Sequence, residues 1–106
     1  MTIPTVSIID HVSAALSRAS LKHEVIASNI ANRDTQGYQR LQVRFDAAME
    51  RASVVPVPAN PDGEAQVSLE QDLVALSSNS AQYAALARVL SRYFSILGSI
   101  TNYSRG

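Results

Sequence analysis

The sequence predicts an all-α chain in which two long terminal helices pair as an antiparallel coiled-coil hairpin around an irregular, proline-containing middle. Near both ends, apolar or small residues recur at alternating steps of three and four, the spacing of a heptad seam. Between these periodic stretches, Pro56, Pro58, Pro61 and the turn pair Asp62-Gly63 bar a continuous helix. A length of 106 residues suits one modest domain, with no room for separate catalytic and regulatory parts. That single domain, 1–106, divides into an N-terminal helix and motif (1–36), an irregular middle (37–66) and a C-terminal helix (67–106).

The first seam runs through Ile9, Val12, Leu16, Ala19, His23, Ile26 and Ile30. Ser7 followed by Asp10 resembles an N-terminal capping box, which places the helix from about Ser7 to Ala31. After Asn32 the apolar period stops. The piece from Val43 to Ala52 admits two forms: Phe45, Ala48 and Met49 share a helical face, whereas Leu41, Val43 and Phe45 alternate as in an extended arm. Ser53 to Gln66 reads as a loop or a small extended hairpin. Ser68 and Gln71 then form a second capping box, with Glu70 and Asp72 at the positive end of the helix dipole. In the helix that follows, Leu69, Leu73, Leu76, Ser80, Tyr83, Ala87, Leu90, Phe94, Leu97 and Thr101 hold a heptad spacing, widened by Leu86, Val89, Tyr93 and Ile100. Gly98 and Asn102 weaken its tail, so the last residues should fray. The coiled-coil interface is therefore assigned to Ile9, Val12, Leu16, Ile26, Leu73, Leu76, Tyr83, Leu90, Phe94 and Leu97. Two thin helices leave apolar flanks uncovered, and neighbours in an assembly are their natural cover.

Several function classes lose their support. Nine basic residues balance nine acidic ones, so no net field draws in nucleic acid or an anionic membrane. There is no cysteine, hence no disulfide, thiolate metal site or cysteine nucleophile. His11 and His23 stand twelve residues apart on one helix, about 18 Å along its axis, too far to share a metal. His23 on the seam reads as a packed or hydrogen-bonded interface residue, and His11 beside Asp10 as a solvated pair. Four unclustered glycines make no phosphate-cradling loop, and no serine sits in a nucleophile elbow. No catalytic, cofactor-binding or metal site is expected. Met1 to Pro4 lack a secretory start, and no apolar run is long enough to span a membrane.

One segment carries more than periodicity. In Thr35-Gln36-Gly37-Tyr38 the order suits a type II turn, whose third position needs the positive φ that Gly adopts without steric cost. Asn29 and Asn32 at the helix end can bond free backbone groups and shape the exit from the helix. The run from Ile26 through Asn29-Ile30-Ala31-Asn32 and Thr35-x-Gly37-Tyr38, followed by Phe45, resembles the signature of the flagellar rod, hook and hook-associated family. That signature usually reads Asn-Ile-Ala-Asn-x-x-Thr-Pro-Gly-Tyr. Gln36 stands where the family commonly has Pro, which implies a looser turn, by about 0.4–1 kcal/mol through the unfolded chain. The stretch Val67 to Leu97 looks like the C-terminal helix of proximal rod members, and the short middle leaves no room for the larger β-domains of hook and distal rod proteins.

The resemblance implies a non-enzymatic subunit of the basal-body rod, needed for flagellar assembly and motility. It implies export without a cleaved signal through the flagellar type III apparatus into the periplasmic rod. Implied partners are further copies of the chain, other rod proteins, and the membrane-ring and rod-adaptor proteins. A competing class is a helical export chaperone or secretion adaptor, which would share the heptads but has no reason to hold Thr-x-Gly-Tyr.

Overall fold

A computed structural model of the chain describes residues 4–49, 51–58 and 67–105. It contains helix α1 (Pro4–Ala31), strands β1 (Leu41–Asp46) and β2 (Arg51–Pro56), and helix α2 (Leu69–Arg105). The described part is elongated, with principal extents of 65 × 29 × 18 Å.

α1 opens at Pro4, where a missing N–H costs nothing and the fixed φ already suits a first turn. The expected Ser7–Asp10 capping box is therefore not formed, because Ser7 lies inside the helix and its carbonyl lies 2.6 Å from a ring nitrogen of His11. α2 starts as the sequence predicts. The Gln71 amide donates to Ser68 Oγ at 3.1 Å and the Ser68 amide to Gln71 Oε1 at 2.8 Å, a reciprocal box that satisfies two otherwise free donors.

Of the two forms open to Val43–Ala52, the structure takes the extended one, and the all-α expectation is amended by a two-stranded antiparallel sheet. Leu41 pairs with Pro56, Val43 with Val54 and Asp46 with Arg51. β-branched pairs such as Val43–Val54 fit a pleated surface better than a short helix. The Asp46 carboxylate accepts from the Ala48 and Met49 amides at 3.0 and 3.3 Å, which caps the hairpin tip. Pro56 ends β2, a place where no ladder donor is lost. The hairpin thus takes in Ser53–Pro56, while residues 59–66, with Pro61 and Asp62-Gly63, lie outside the described residues.

α1 is the shared element, packing against α2 on one side and β1 on another. The helices are antiparallel, and Asn79 Nδ2 in the first third of α2 donates to the Ala19 carbonyl near the middle of α1 at 2.7 Å. Burial is thin: among the described residues the only buried apolar side chains are Ala19, Val25 and Ile26. The least exposed positions of α2 include Asp72, Leu76, Asn79, Leu86, Leu90, Tyr93 and Leu97, which keep heptad spacing along the face turned to α1. Leu73 and Phe94, assigned to the interface from apolar periodicity, sit off this intrachain face at 49% and 54% exposure.

Candidate assembly site

The residues between the end of α1 and the start of β1 form an elbow closed by side-chain hydrogen bonds. Gly37 has φ +81°, and the Tyr38 amide donates to the Thr35 carbonyl at 3.1 Å, as a type II turn requires. Nothing lies within 4 Å of a Cβ built on Gly37, so its requirement for glycine is conformational and not one of space. The turn carries Tyr38 back against the last turn of α1, where its hydroxyl reaches Asn29.

Asn29, buried at the end of α1, serves as a substitute strand for β1. Its Nδ2 donates to the Leu41 carbonyl at 2.9 Å and its Oδ1 accepts from the Leu41 amide at 2.9 Å. Both backbone groups of the first residue of β1 are thus satisfied by one side chain. The Tyr38 hydroxyl also donates to Asn29 Oδ1, at 3.0 Å. Having given its one proton there, it can only accept from Ser28 Oγ, 3.0 Å away. Asn32 Nδ2 lies 3.5 Å from that hydroxyl and donates to the Ser28 carbonyl at 3.0 Å, while Thr35 Oγ1 donates to Asn32 Oδ1 at 3.3 Å. Ser28, Tyr38 and Asn29 therefore pass hydrogen bonds in one direction, an order in which each bond polarises the next.

A second closure ties the elbow to α2. Arg40 makes a bidentate contact with Asp72, at 3.0 and 2.8 Å, and Arg33 stands 3.8 Å from the same carboxylate while donating to the Val67 carbonyl at 3.1 Å. Asp72 is 4% exposed. The Arg40 hydrogen bonds hold its carboxyl below the usual carboxylate range against the opposing effect of burial, and the charges of Arg40 and Arg33 add to this. Arg40 is shifted upward by the same contact. The paired charges fix where α2 begins relative to the elbow, a use for which the planar Arg fork is well suited.

The sequence-assigned residues divide by place. Asn29, Asn32 and Tyr38 meet in the elbow, with Ile30 half-buried beside them and Thr35 and Gly37 exposed on the turn. Phe45 lies apart from this network on β1, with the Arg18 guanidinium 4.4 Å above its ring. An open cleft of about 670 Å³ between α1 and the hairpin is lined by Ala14, Leu21, Phe45 and Ala47, with Arg18 at its side. Ile9, Val12, Leu16, Leu76, Leu90 and Leu97 are half-buried, Ile26 is buried, and Tyr83 is exposed. His23 is exposed, beside Ser20, Glu24, Ser80 and Tyr83. Sequence reading passed over Ser28, Arg33, Arg40 and Asn79, and took Asp72 for a helix-dipole residue only. The signal was there for Asp72 and Asn79, which continue the heptad of Leu76 and Leu86 but fail a test that counts apolar residues. Among the described residues no three metal-ligating side chains cluster, and no helix is long and apolar enough to cross a membrane. The arrangement offers positioned backbone and surface.

Against known families, the model of the flagella basal body rod protein matches residues 9–39. This supports a flagellar basal-body rod family member. The match takes in α1 from Ile9 and the elbow through Gln39, a little under a third of the chain, and stops before β1. It supports a structural role in the basal body, assembled with other rod components. No curated protein matches the chain.

Proposed function

We propose that the chain is a structural subunit of the proximal flagellar rod, of the FlgB type, that polymerises through its two terminal helices as coiled-coil elements. The observation that carries the reading is the elbow: Asn29, Asn32, Thr35, Gly37 and Tyr38 of the rod-family motif each have a geometric task in one closed turn. Five motif residues spent on backbone geometry point to a part that must be shaped to fit neighbours. The proximal type is supported by the C-terminal pattern Val67 to Leu97 and by a middle that holds no more than a small hairpin among the described residues.

Polymerisation is supported by the thinness of the core. Fourteen large apolar side chains are exposed among the described residues, against three buried ones, and neighbouring helices would cover them. The subunit would leave the cytoplasm through the flagellar type III apparatus without a cleaved signal and take its place in the periplasmic rod. There it would contact its own copies, other rod proteins and the membrane-ring and rod-adaptor proteins. Purified basal bodies should contain the chain, and its deletion should halt rod growth before any hook forms. Complete rods in the deletion strain would exclude this function.

A further inference from the structure

The seam of α1 holds one small residue, Ala19, with Val12 and Leu16 before it and His23 and Ile26 after it. Against it α2 sets a buried amide: Asn79 is 3% exposed, and its Nδ2 donates to the Ala19 carbonyl at 2.7 Å. A carbonyl inside a helix keeps a second lone pair after its own helical bond, and the methyl of alanine leaves that lone pair open to the neighbouring helix. Val12 or Ile26 would cover it with a branched side chain. Asn79 Oδ1, by contrast, is buried without a partner among the described residues, so an apolar side chain of like size would be more stable there.

The apolar pattern does not choose an alignment. Both stripes repeat every seven residues, so sliding α2 by one heptad, about 10 Å, sets Leu86 over Ala19. Counted at equal rise from the Asn79–Ala19 contact, Pro4 lies level with about residue 94, and α2 continues to Arg105. The slide draws this overhang onto α1 and keeps the overlap of the two helices. It also carries Asn79 over Ile26, where both ends of its amide would be buried unpaired. The opposite slide carries it over Val12, with the same result.

We propose that Asn79 is the register key of the helix pair: its contact with the Ala19 carbonyl selects one alignment of α1 and α2, at a cost in stability. A buried amide on a heptad seam suits this task, because it is satisfied in one alignment and orphaned in the next. The Arg40–Asp72 contact guides alignment less directly, since it joins α2 to the elbow through a long side chain, whereas Asn79 meets the backbone of α1. A slip of one heptad would move every exposed side chain of α2 by about 10 Å against α1, so register decides which composite surface the chain offers. The inference concerns the single chain and does not rest on the rod reading.

The test traps each alignment with a disulfide in the full chain, which has no cysteine of its own. Ser20 and Ser80 line one pocket, so Ser20→Cys/Ser80→Cys reports the native alignment. Ser20→Cys/Ala87→Cys reports the slip of one heptad. Both pairs are placed in an Asp72→Ala chain, which removes the Arg40 contact, with Asn79 kept or changed by Asn79→Leu or Asn79→Ala. Each chain is first shown by circular dichroism to keep its helix content, and cross-linking is read on the monomer. With Asn79 in place only the native pair should close. In both Asn79 variants the slipped pair should close more often by roughly tenfold, the factor that a buried unpaired amide group commands. Asn79→Leu should also raise the urea midpoint, and Asn79→Ala, which adds no volume, keeps the register readout sound if leucine overpacks. A slipped pair that stays open in both variants would overturn the proposal, as would one that closes equally well with Asn79 in place. A midpoint lowered by Asn79→Leu would overturn the cost assigned to the amide.

Discussion

The elbow and the helix pair are finished to different degrees within one chain. In the elbow, Asn29, Asn32, Tyr38, Arg40 and Asp72 all find partners at hydrogen-bond distance, and the buried groups among them are satisfied. Along the helix pair the apolar stripes are wider than the surface that covers them, and Asn79 Oδ1 is buried without a partner among the described residues. Directional bonds can be completed by a few residues close in sequence, whereas burial needs area that two thin helices do not possess. A chain built this way carries a preset shape and leaves apolar surface that a neighbour could cover.

That difference predicts that damage to the helices shows in assembly and damage to the elbow shows in the single chain. The largest effect should come from Phe94→Asp, which places a carboxylate on the apolar stripe of α2 that the single chain leaves exposed, at a cost of a few kcal/mol where a neighbour covers it. This variant should be made and exported yet be missing from purified basal bodies, while Arg105→Ala near the end of α2 should incorporate normally. Equal incorporation of both would mean that the stripe is not buried in the assembly.

Asn29→Ala should come next, with a loss of about 3 kcal/mol in a urea midpoint measurement, because it leaves the Leu41 amide and carbonyl without their partner and the Tyr38 hydroxyl with Ser28 alone. A loss below about 1 kcal/mol would mean that water replaces the side chain and that the elbow is open. Gly37→Val should cost about 1–2 kcal/mol, the usual penalty for a side chain at positive φ, and should reduce motility more than secretion. Gly37→Asn should cost less, since Asn tolerates that region. Acid should have the smallest effect. The Asp72 carboxyl is held low in the folded chain, so its contribution is present above the unfolded value of about 3.9 and is lost as pH falls below that. Stability measured from neutral pH downward should therefore decline below about pH 4, and less steeply in Asp72→Asn.

Much of this was legible in the sequence where the chemistry is local. The Ser68–Gln71 box and the Thr35–Tyr38 turn depend on residues within three positions of each other, and both form as read. The face of α2 turned to α1 was misjudged by one position, as Asp72 and Asn79 are polar and yet buried. Their burial depends on Arg40 and on the Ala19 carbonyl, partners 32 and 60 residues away that periodicity cannot name. The choice between helix and strand for Val43–Ala52 stayed open in the sequence, because what decides it is the pairing of Leu41–Asp46 with Arg51–Pro56. The Ser7 box misled because Pro4 supplies an earlier start.

Hydrogen exchange on the full chain, dilute and then assembled, tests most directly whether the elbow is complete alone and the helices are not. In the dilute monomer the Leu41 amide, bonded to Asn29, should be protected, while the amides of the outer halves of α1 and α2 exchange rapidly and become protected only on polymerisation. Strong protection along the full length of both helices in the dilute monomer would contradict the account.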